Sequence, residues 1–481
     1  MKAKNIYEMI ENAVQEFHGR PAISYKEHRQ LVTKNYEVVY EDIQKTAGWL
    51  KMHHWSGKKV ALVGAMDYEW TVAYLTLLYT GSVIMTMNYT QDVSDLETEF
   101  QLLKPDVLLY GKIDDNQKLW AEQMTEAETA SMYEIRQAAL PEVTPKYELD
   151  PDLPACVLFT TGSTGKKKGV MLAQKNMVAL CASAEFAYNG VKHEKGMAPV
   201  PNYHLMKLGS IISMFSNGIE QYISSNTKRT LKDIHEQKPD FIQAVPLVLE
   251  ALRNILENDT SEGTIAEKFQ KFDDRLQTVS VGGSFSDPKT IDFFENLGVH
   301  IISGYGMTEA VVITNERDGR KKKGSVGEVT PGVYIRITDG EVQVSGQSVM
   351  LGYYGDPAST ETVFDDGWLK TGDLGYVDEE GYLYLTGRKK NLIILANGEN
   401  VSPEELEGQL KKCPLVEEAV VREKAGHLHA EIQAVNGADH TALGTYIQDM
   451  NRKNVLCKRI VSWELRQTPF ERINGMKIRR N

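Results

Sequence analysis

Cysteine is scarce: four residues in 481, Cys156, Cys181, Cys413 and Cys457, with no C-x-x-C pair among them. This spacing excludes a disulfide-stapled scaffold and a zinc knuckle, and it fits a reducing, cytoplasmic setting. Positive charge is in deficit, with 54 Lys plus Arg against 66 Asp plus Glu and a net charge of −12. Such a balance argues against bulk affinity for nucleic acid or anionic lipid, so any polyanion must meet a local cationic loop. Low-complexity tracts and internal repeats are missing, which sets aside disordered linkers and solenoids. Only one stretch, residues 70–91, lacks charge for long enough to span a bilayer. Thr71, Thr76, Thr80, Ser82 and Thr86 are scattered through it, Gly81 interrupts it, and 83–87 has strand composition. It reads as buried helix, glycine stop and buried strand, with no integral membrane segment. The first residues place Ile6, Met9, Ile10, Ala13, Val14 and Phe17 at helical spacing with acids between them, an amphipathic helix rather than a signal peptide.

What is present is an ordinary globular composition, 42% hydrophobic and 25% charged, long enough for roughly two to four domains. Short apolar runs at 60–63, 83–87, 107–110, 155–160, 241–245, 278–281 and 300–303 alternate with segments of helical period such as 43–50 and 247–256. Strands alternating with helices imply parallel sheets covered on both faces. From Gly324 to Leu385 glycine is dense and short β-rich runs (332–337, 341–345, 381–385) suggest a small barrel or meander. After Arg388 the pattern predicts a strand at 391–395. A helix opened by Ser402 as N-cap, Pro403 and a capping-box glutamate follows, stopped by Pro414. Elements at 416–422, 428–435, 443–450 and 460–465 then complete a compact α+β unit.

The segment Phe159-Thr-Thr-Gly-Ser-Thr-Gly-Lys-Lys-Lys-Gly169 directly follows an apolar strand. Hydroxyls, glycines that let backbone N–H groups approach a ligand, and clustered lysines describe a phosphate-gripping loop. Its glycines are too close for a Walker A loop and no hydroxyl follows the lysines. Taken alone, it could also be a solvated glycine-rich turn.

The string resembles the [ST]-[ST]-G-[ST]-T-G-x-P-K-G loop of the adenylate-forming superfamily of acyl-CoA synthetases, luciferases and peptide-synthetase adenylation domains. Five further strings, in the order and spacing of that superfamily, resemble its other signatures: Ser303-Gly-Tyr-Gly-Met-Thr-Glu309, Gly367-Trp-Leu-Lys-Thr-Gly-Asp-Leu-Gly375, Gly387-Arg-Lys-Lys-Asn-Leu-Ile393, Asn397-Gly-Glu-Asn-Val-Ser-Pro-Glu-Glu-Leu-Glu407 and Met476-Lys-Ile-Arg-Arg480. The resemblance implies an α/β fold. Residues 1–386 would be a large AMP-binding domain of layered parallel sheets with a small β-barrel-like subdomain, 387–390 a hinge, and 391–481 a small mobile α+β lid.

The resemblance also implies an activity and a set of roles. A carboxylic acid would attack the α-phosphate of ATP, pyrophosphate would leave, and the acyl-AMP would pass its acyl group to a thiol, either coenzyme A or the phosphopantetheine of a carrier protein. Thr160, Thr161, Gly162, Ser163, Thr164, Gly165 and Lys168 would hold the phosphates. Tyr305 would stack on adenine, flanked by Gly306 and Thr308, with Gly283 and Ser284 along its edge. Glu309, with Thr161, would coordinate Mg²⁺. Asp373 and Arg388 would take the ribose hydroxyls, and Lys477 would neutralise charge on the α-phosphate. Lys390 sits at the hinge position, and Gly398 and Glu399 would line the thiol tunnel.

Val200-Pro-Asn-Tyr-His-Leu-Met-Lys-Leu-Gly209 resembles the acyl-pocket motif, with His204 at its histidine. A neutral histidine cannot pair with a substrate ammonium, which disfavours amino acids. The strings at 387–394, 397–405 and 469–477 resemble bacterial long-chain-type acyl-CoA synthetases and point to a fatty or other apolar acid. Two departures stand out. Lys167 replaces the loop's usual proline, adding positive charge, and the tail reads Arg472-Ile-Asn-Gly-Met-Lys477 where Thr-x-x-G-K is more usual. With no carrier or reducing domain recognisable, the acceptor is expected to be free coenzyme A or a separate carrier. A catalytically idle nucleotide- or acyl-binding regulator is the reading from another class; loss of Lys477, Glu309 or Asp373 would mark it, and all three are present.

Overall fold

The computed structural model describes residues 3–138, 147–161, 167–224, 227–283, 286–395, 400–424, 427–435, 437–473 and 477–478. The chain divides into two compact units, residues 1–334 with 344–369, and residues 335–343 with 370–481.

In the first unit the apolar runs form two layered sheets. One has seven strands in the order Gly352–Tyr353, Lys167–Ala173, Pro154–Thr161, Val83–Thr86, Lys59–Val63, Val107–Tyr110 and Glu128–Ser131. Its interior is parallel, whereas Pro154–Thr161 turns back on Lys167–Ala173 as an antiparallel hairpin. The other has nine strands, and its centre is the parallel array Lys195–Met197, Phe241–Ala244, Thr278–Val281 and His300–Met307. The strand expected at 300–303 continues to Met307, because the hairpin partner Ala310–Asn315 supplies hydrogen bonds beyond Ser303.

The uncharged stretch folds as read. Helix Tyr68–Tyr79 is buried around its whole circumference, Gly81 takes a φ of 71° that favours glycine, and Val83–Thr86 enters the sheet. Among the described residues no helix is long and apolar enough to cross a membrane. Tyr74 Oη donates to Leu208 O at 3.2 Å and ties this helix to the equally buried helix Leu205–Ser216.

In the second unit, strand Trp368–Val377 pairs with Leu383–Arg388, and the segment 335–343 is anchored by Thr371 Oγ1 donating to Val342 O at 2.7 Å. The C-terminal sheet runs Val416–Lys424, His427–Ala434, Ile460–Leu465 and buries Leu406, Leu410, Leu443 and Ile447 from two helices. Two local expectations fail. The strand over 391–395 shortens to Ile393–Ile394, because Lys389–Asn391 is a 3-10 turn. Ser402 and Pro403 do open helix Pro403–Leu410, but no capping box forms: the Ser402 hydroxyl donates to Thr386 O at 2.7 Å instead.

Segment 344–354 returns to the first unit through a buried amide. Asn176 Nδ2 donates to Gln347 O (2.6 Å) and Val349 O (3.0 Å), while its Oδ1 accepts from Ala173 N (2.6 Å). Asn176→Ala leaves three backbone groups, two of them buried, without this partner and should cost about 2–4 kcal/mol in denaturant unfolding. An unchanged midpoint would show that the segment is held by other means.

Candidate active site

The alternation of apolar residues that buries strand Pro154–Thr161 ends at two threonines, Thr160 facing Lys168 and Thr161 facing Lys167 across the hairpin. Gly162, Ser163, Thr164, Gly165 and the side chain of Thr161 lie outside the described residues. Lys167 does not stand as an extra phosphate-facing cation. Its Nζ is 2.6 Å from Oε1 of Glu99, a buried carboxylate, and the Gln91 amide donates to Glu99 and accepts from Lys167 at 3.0 Å each. The buried acid needs a counter-charge, so the lysine that replaces proline is drawn to the protein interior.

Lys168 lies elsewhere. Its Nζ sits 4.6 Å from the centroid of Tyr353, whose hydroxyl donates to Glu309 Oε1 at 3.0 Å. Burial first and Glu309 second push the Tyr353 phenol well above its ordinary pKa, so it remains a donor. Strand Gly352–Tyr353 pairs with Lys167–Ala173, and Met350 N donates to Glu309 O at 2.9 Å. These pairings join Lys168 to Glu309, which are distant in sequence.

Glu309 and Thr308 occupy the turn between His300–Met307 and Ala310–Asn315. Tyr305 precedes a bulge in that hairpin. Gly306 is required there: a Cβ would lie 2.7 Å from Val311 O. Gly283 follows strand Thr278–Val281 with a φ of 86°, and Ser284 lies outside the described residues. Met206 Cε is 3.2 Å from the position a Cβ would take at Gly282 and 3.6 Å from that at Gly283. The 200–209 segment therefore abuts the glycines expected beside adenine.

His204 is the N-cap residue of helix Leu205–Ser216, its ring 4.7 Å from that of Tyr203. One side of the imidazole is open to solvent, yet the surrounding protein desolvates it enough to lower its pKa, keeping it neutral at pH 7. One turn on, Lys207 is almost wholly buried and donates from Nζ to Ala198 O at 2.7 Å. Burial without a nearby acid lowers its pKa to about 7.

In the second unit, Asp373 is opposite Arg388 in the strand pair, and Arg388 Nε is 2.7 Å from Asp373 Oδ1. Lys389 Nζ reaches the buried Glu341 at 2.7 Å, and Glu341 also accepts from Gly372 N at 3.1 Å. Lys390 is exposed beside them in the 3-10 turn. The backbone of Lys477 pairs with Ile473 in a short hairpin; its side chain, and Gly398 and Glu399, lie outside the described residues.

A family model described as AMP-binding enzyme matches residues 10–354, most of the chain. The chain belongs to the AMP-binding enzyme family. It is 29% identical over 431 residues to the long-chain-fatty-acid–CoA ligase FadD15 of Mycobacterium bovis, spanning 76% of this chain and 71% of that one. It is 27% identical over 397 residues to the 2-succinylbenzoate–CoA ligase of Listeria innocua, spanning 81% and 80%. The fold matches apo MatB from Rhodopseudomonas palustris (TM-score 0.82, 20% identity, 99% and 97% covered). It also matches the o-succinylbenzoate CoA synthetase of Bacillus subtilis, solved with ATP and magnesium ion (TM-score 0.77, 23% identity, 98% of each chain).

Within this AMP-binding enzyme, three contributors escaped sequence reasoning. Glu99 and Tyr353 act through partners far away in the chain, and Lys207 drew no comment within its motif. Gly352-Tyr353-Tyr354-Gly355 was the available signal for Tyr353, an aromatic pair bracketed by glycines just after the glycine-dense region.

Lys207 has a measurable consequence for stability. Its folded pKa lies below the unfolded value, so between about 7 and 10.5 the unfolded chain binds more protons and stability rises with pH. Lys207→Met should therefore be more stable to unfolding than the parent at pH 7, by on the order of a few kcal/mol, with the difference shrinking as pH approaches about 10. A parallel offset across that window would mean that the amine does not titrate as burial requires.

Proposed function

We propose that this AMP-binding enzyme is an ATP-dependent acid–thiol ligase. It would convert a carboxylic acid to acyl-AMP with release of pyrophosphate, then to a thioester, most simply with coenzyme A as acceptor. The observation that carries the reading is the Lys168–Tyr353–Glu309 cluster at the end of the Thr160 hairpin, which sets a cation and an oriented carboxylate beside the expected phosphate loop. Both sequence relatives described above are named as CoA ligases, which supports the acceptor.

A carboxylate is a poor acyl donor, and its attack on the α-phosphorus brings anion against anion. Catalysis is therefore mostly positioning and charge neutralisation. In this reading Thr160 and Lys168 hold the leaving phosphates, Tyr305 and Gly283 frame the adenine, and Asp373 accepts the ribose hydroxyls with Arg388 fixing its carboxylate. Lys477 neutralises the α-phosphate. Among the described residues no three His, Cys, Asp or Glu side chains converge. Glu309, with Thr161, would hold a magnesium ion. When bound, the ion would offset charge on the phosphates. The second half-reaction expels AMP when a thiolate attacks the acyl carbonyl. In the domain-rotation account, movement at Lys390 would exchange Lys477 for the loop that carries Gly398 and Glu399.

The fatty-acid expectation rests on motifs at 387–405 and 469–477, outside the acyl segment at 200–209. Neutral His204 supports an acid without an ammonium group.

The test is acid-dependent exchange of pyrophosphate into ATP, scored against short, long, branched and aryl acids, followed by thioester formation with coenzyme A and with a carrier protein in parallel. ATP binding without exchange on any acid would favour the idle regulator. Thioester on the carrier alone would replace coenzyme A as the acceptor. Lys477→Ala should lose adenylation by a factor on the order of 10² to 10³ yet still convert supplied acyl-AMP to thioester; equal loss of both steps would overturn the domain-rotation account. Tyr353→Phe removes a hydrogen bond to a charged acceptor and should weaken magnesium-dependent ATP binding about tenfold, leaving magnesium-free binding unchanged. Equal weakening in both conditions would place Glu309 outside the metal site.

A further inference from the structure

The first unit contains a small cavity, open to solvent, bounded by Met66, Tyr89, Pro201, Asn202, Tyr222 and Lys207 among others. Two of its polar side chains are engaged within the protein: Asn202 Nδ2 donates to Gly64 O at 2.9 Å, and Ser224 Oγ donates to Asp233 Oδ2 at 2.5 Å. Lys207 has donors to spare. Its ammonium has three N–H donors, and among the described residues one of them meets Ala198 O while no Asp or Glu forms an ion pair with it. A cation buried without a counter-charge is expensive, and a cavity beside it is where a ligand's anion would remove that cost.

The cavity belongs to the acyl segment. Pro201, Asn202 and Lys207 line it, while the neighbouring Met206 packs against Gly282 and Gly283. Two consecutive side chains of one helix thus face the glycines expected beside adenine and the cavity, so the two regions adjoin the same helical turn.

We propose that Lys207 is the anion-recognition residue of the acyl pocket and that the acid activated carries a second carboxylate, which pairs with the Lys207 ammonium in this cavity. The inference rests on the ligase reading and narrows it. A simple fatty acid would leave the amine facing hydrocarbon, whereas a dicarboxylate supplies the missing charge and restores the proton that burial disfavours. Asn202 and Tyr222 then shape the pocket, the Asn202 amide being held by Gly64 O.

Matched acid pairs test this, each monoacid set against the diacid of the same skeleton, from about four to ten carbons, with one aryl acid with and without a remote carboxylate. In pyrophosphate exchange the parent should favour the diacid member of at least one pair by tenfold or more in kcat/KM. Lys207→Met should erase or reverse that preference, chiefly through KM for the diacid, while the monoacid retains its rate; Lys207→Arg should keep part of it. Preference of the parent for every monoacid, or an identical panel for Lys207→Met, overturns the subsite and leaves the ligase reading standing. Exchange with no acid of either kind overturns both. Should the variants fail to fold, the parent's ranking of the pairs still decides the question.

Discussion

The pairing of Gly352–Tyr353 with the hairpin strand Lys167–Ala173 is the constraint on which the proposed phosphate-side chemistry depends. It carries Tyr353 to a point where one face meets Lys168 and its hydroxyl meets Glu309. The hydrogen bond to the carboxylate contributes about 1.5–3 kcal/mol and the cation over the ring about 0.5–2 kcal/mol, so neither group is left to wander. Asn176 holds the same returning segment two strands' depth into the unit, through Gln347 O and Val349 O. The placement of Glu309 is therefore borne by a backbone ladder, and a ladder is stiff in a way that a surface loop is not.

The pattern of cations follows from a second constraint, the cost of burying carboxylates. Glu99, Glu341 and Asp373 are all buried, and each draws one basic side chain: Lys167, Lys389 and Arg388 respectively. The basic clusters that the sequence displays at 166–168 and 388–390 are thus partly spent on the protein's own buried acids. Lys168 is the cation of the first cluster whose described contact is an aromatic face rather than an acid. The excess of acids in the composition does not sit wholly on the outer surface; some of it orients the very residues that the motifs single out.

Much of the fold was legible because buried parallel strands have a simple signature. Runs such as Val107–Tyr110 and Thr278–Val281 begin and end where the apolar residues do, and the uncharged helix Tyr68–Tyr79 separates from its strand at Gly81. The motif residues were legible through spacing: Thr160 lies at the end of its strand and Glu309 in a turn, while Tyr305 and Asp373 sit within strands beside irregularities in the pairing. Partner choice was not legible. Nothing local to Glu99 announces Lys167, and Ser402 looks like an N-cap until Thr386 O is found within reach of its hydroxyl. The capping rule counts only groups of the same helix, and a tertiary acceptor at 2.7 Å wins because it fixes the helix to the preceding strand as well.

Lys207 brings these arguments together, because it is the one place in the acyl segment where the compensation seen elsewhere does not occur. The second unit meets a buried Glu341 with Lys389, and the hairpin meets a buried Glu99 with Lys167; among the described residues, the helix at 205–216 buries Lys207 against a carbonyl with no acid paired to it. An apolar residue there would fold more readily, since the amine is held near neutrality at a cost that grows as pH falls from the unfolded pKa toward about 7. A site that gives up stability in the free protein can regain it when the right anion arrives, and it regains nothing from an acid that lacks one. The same unpaired charge would then serve recognition twice, by attracting a dicarboxylate and by making a hydrocarbon tail an unfavourable neighbour.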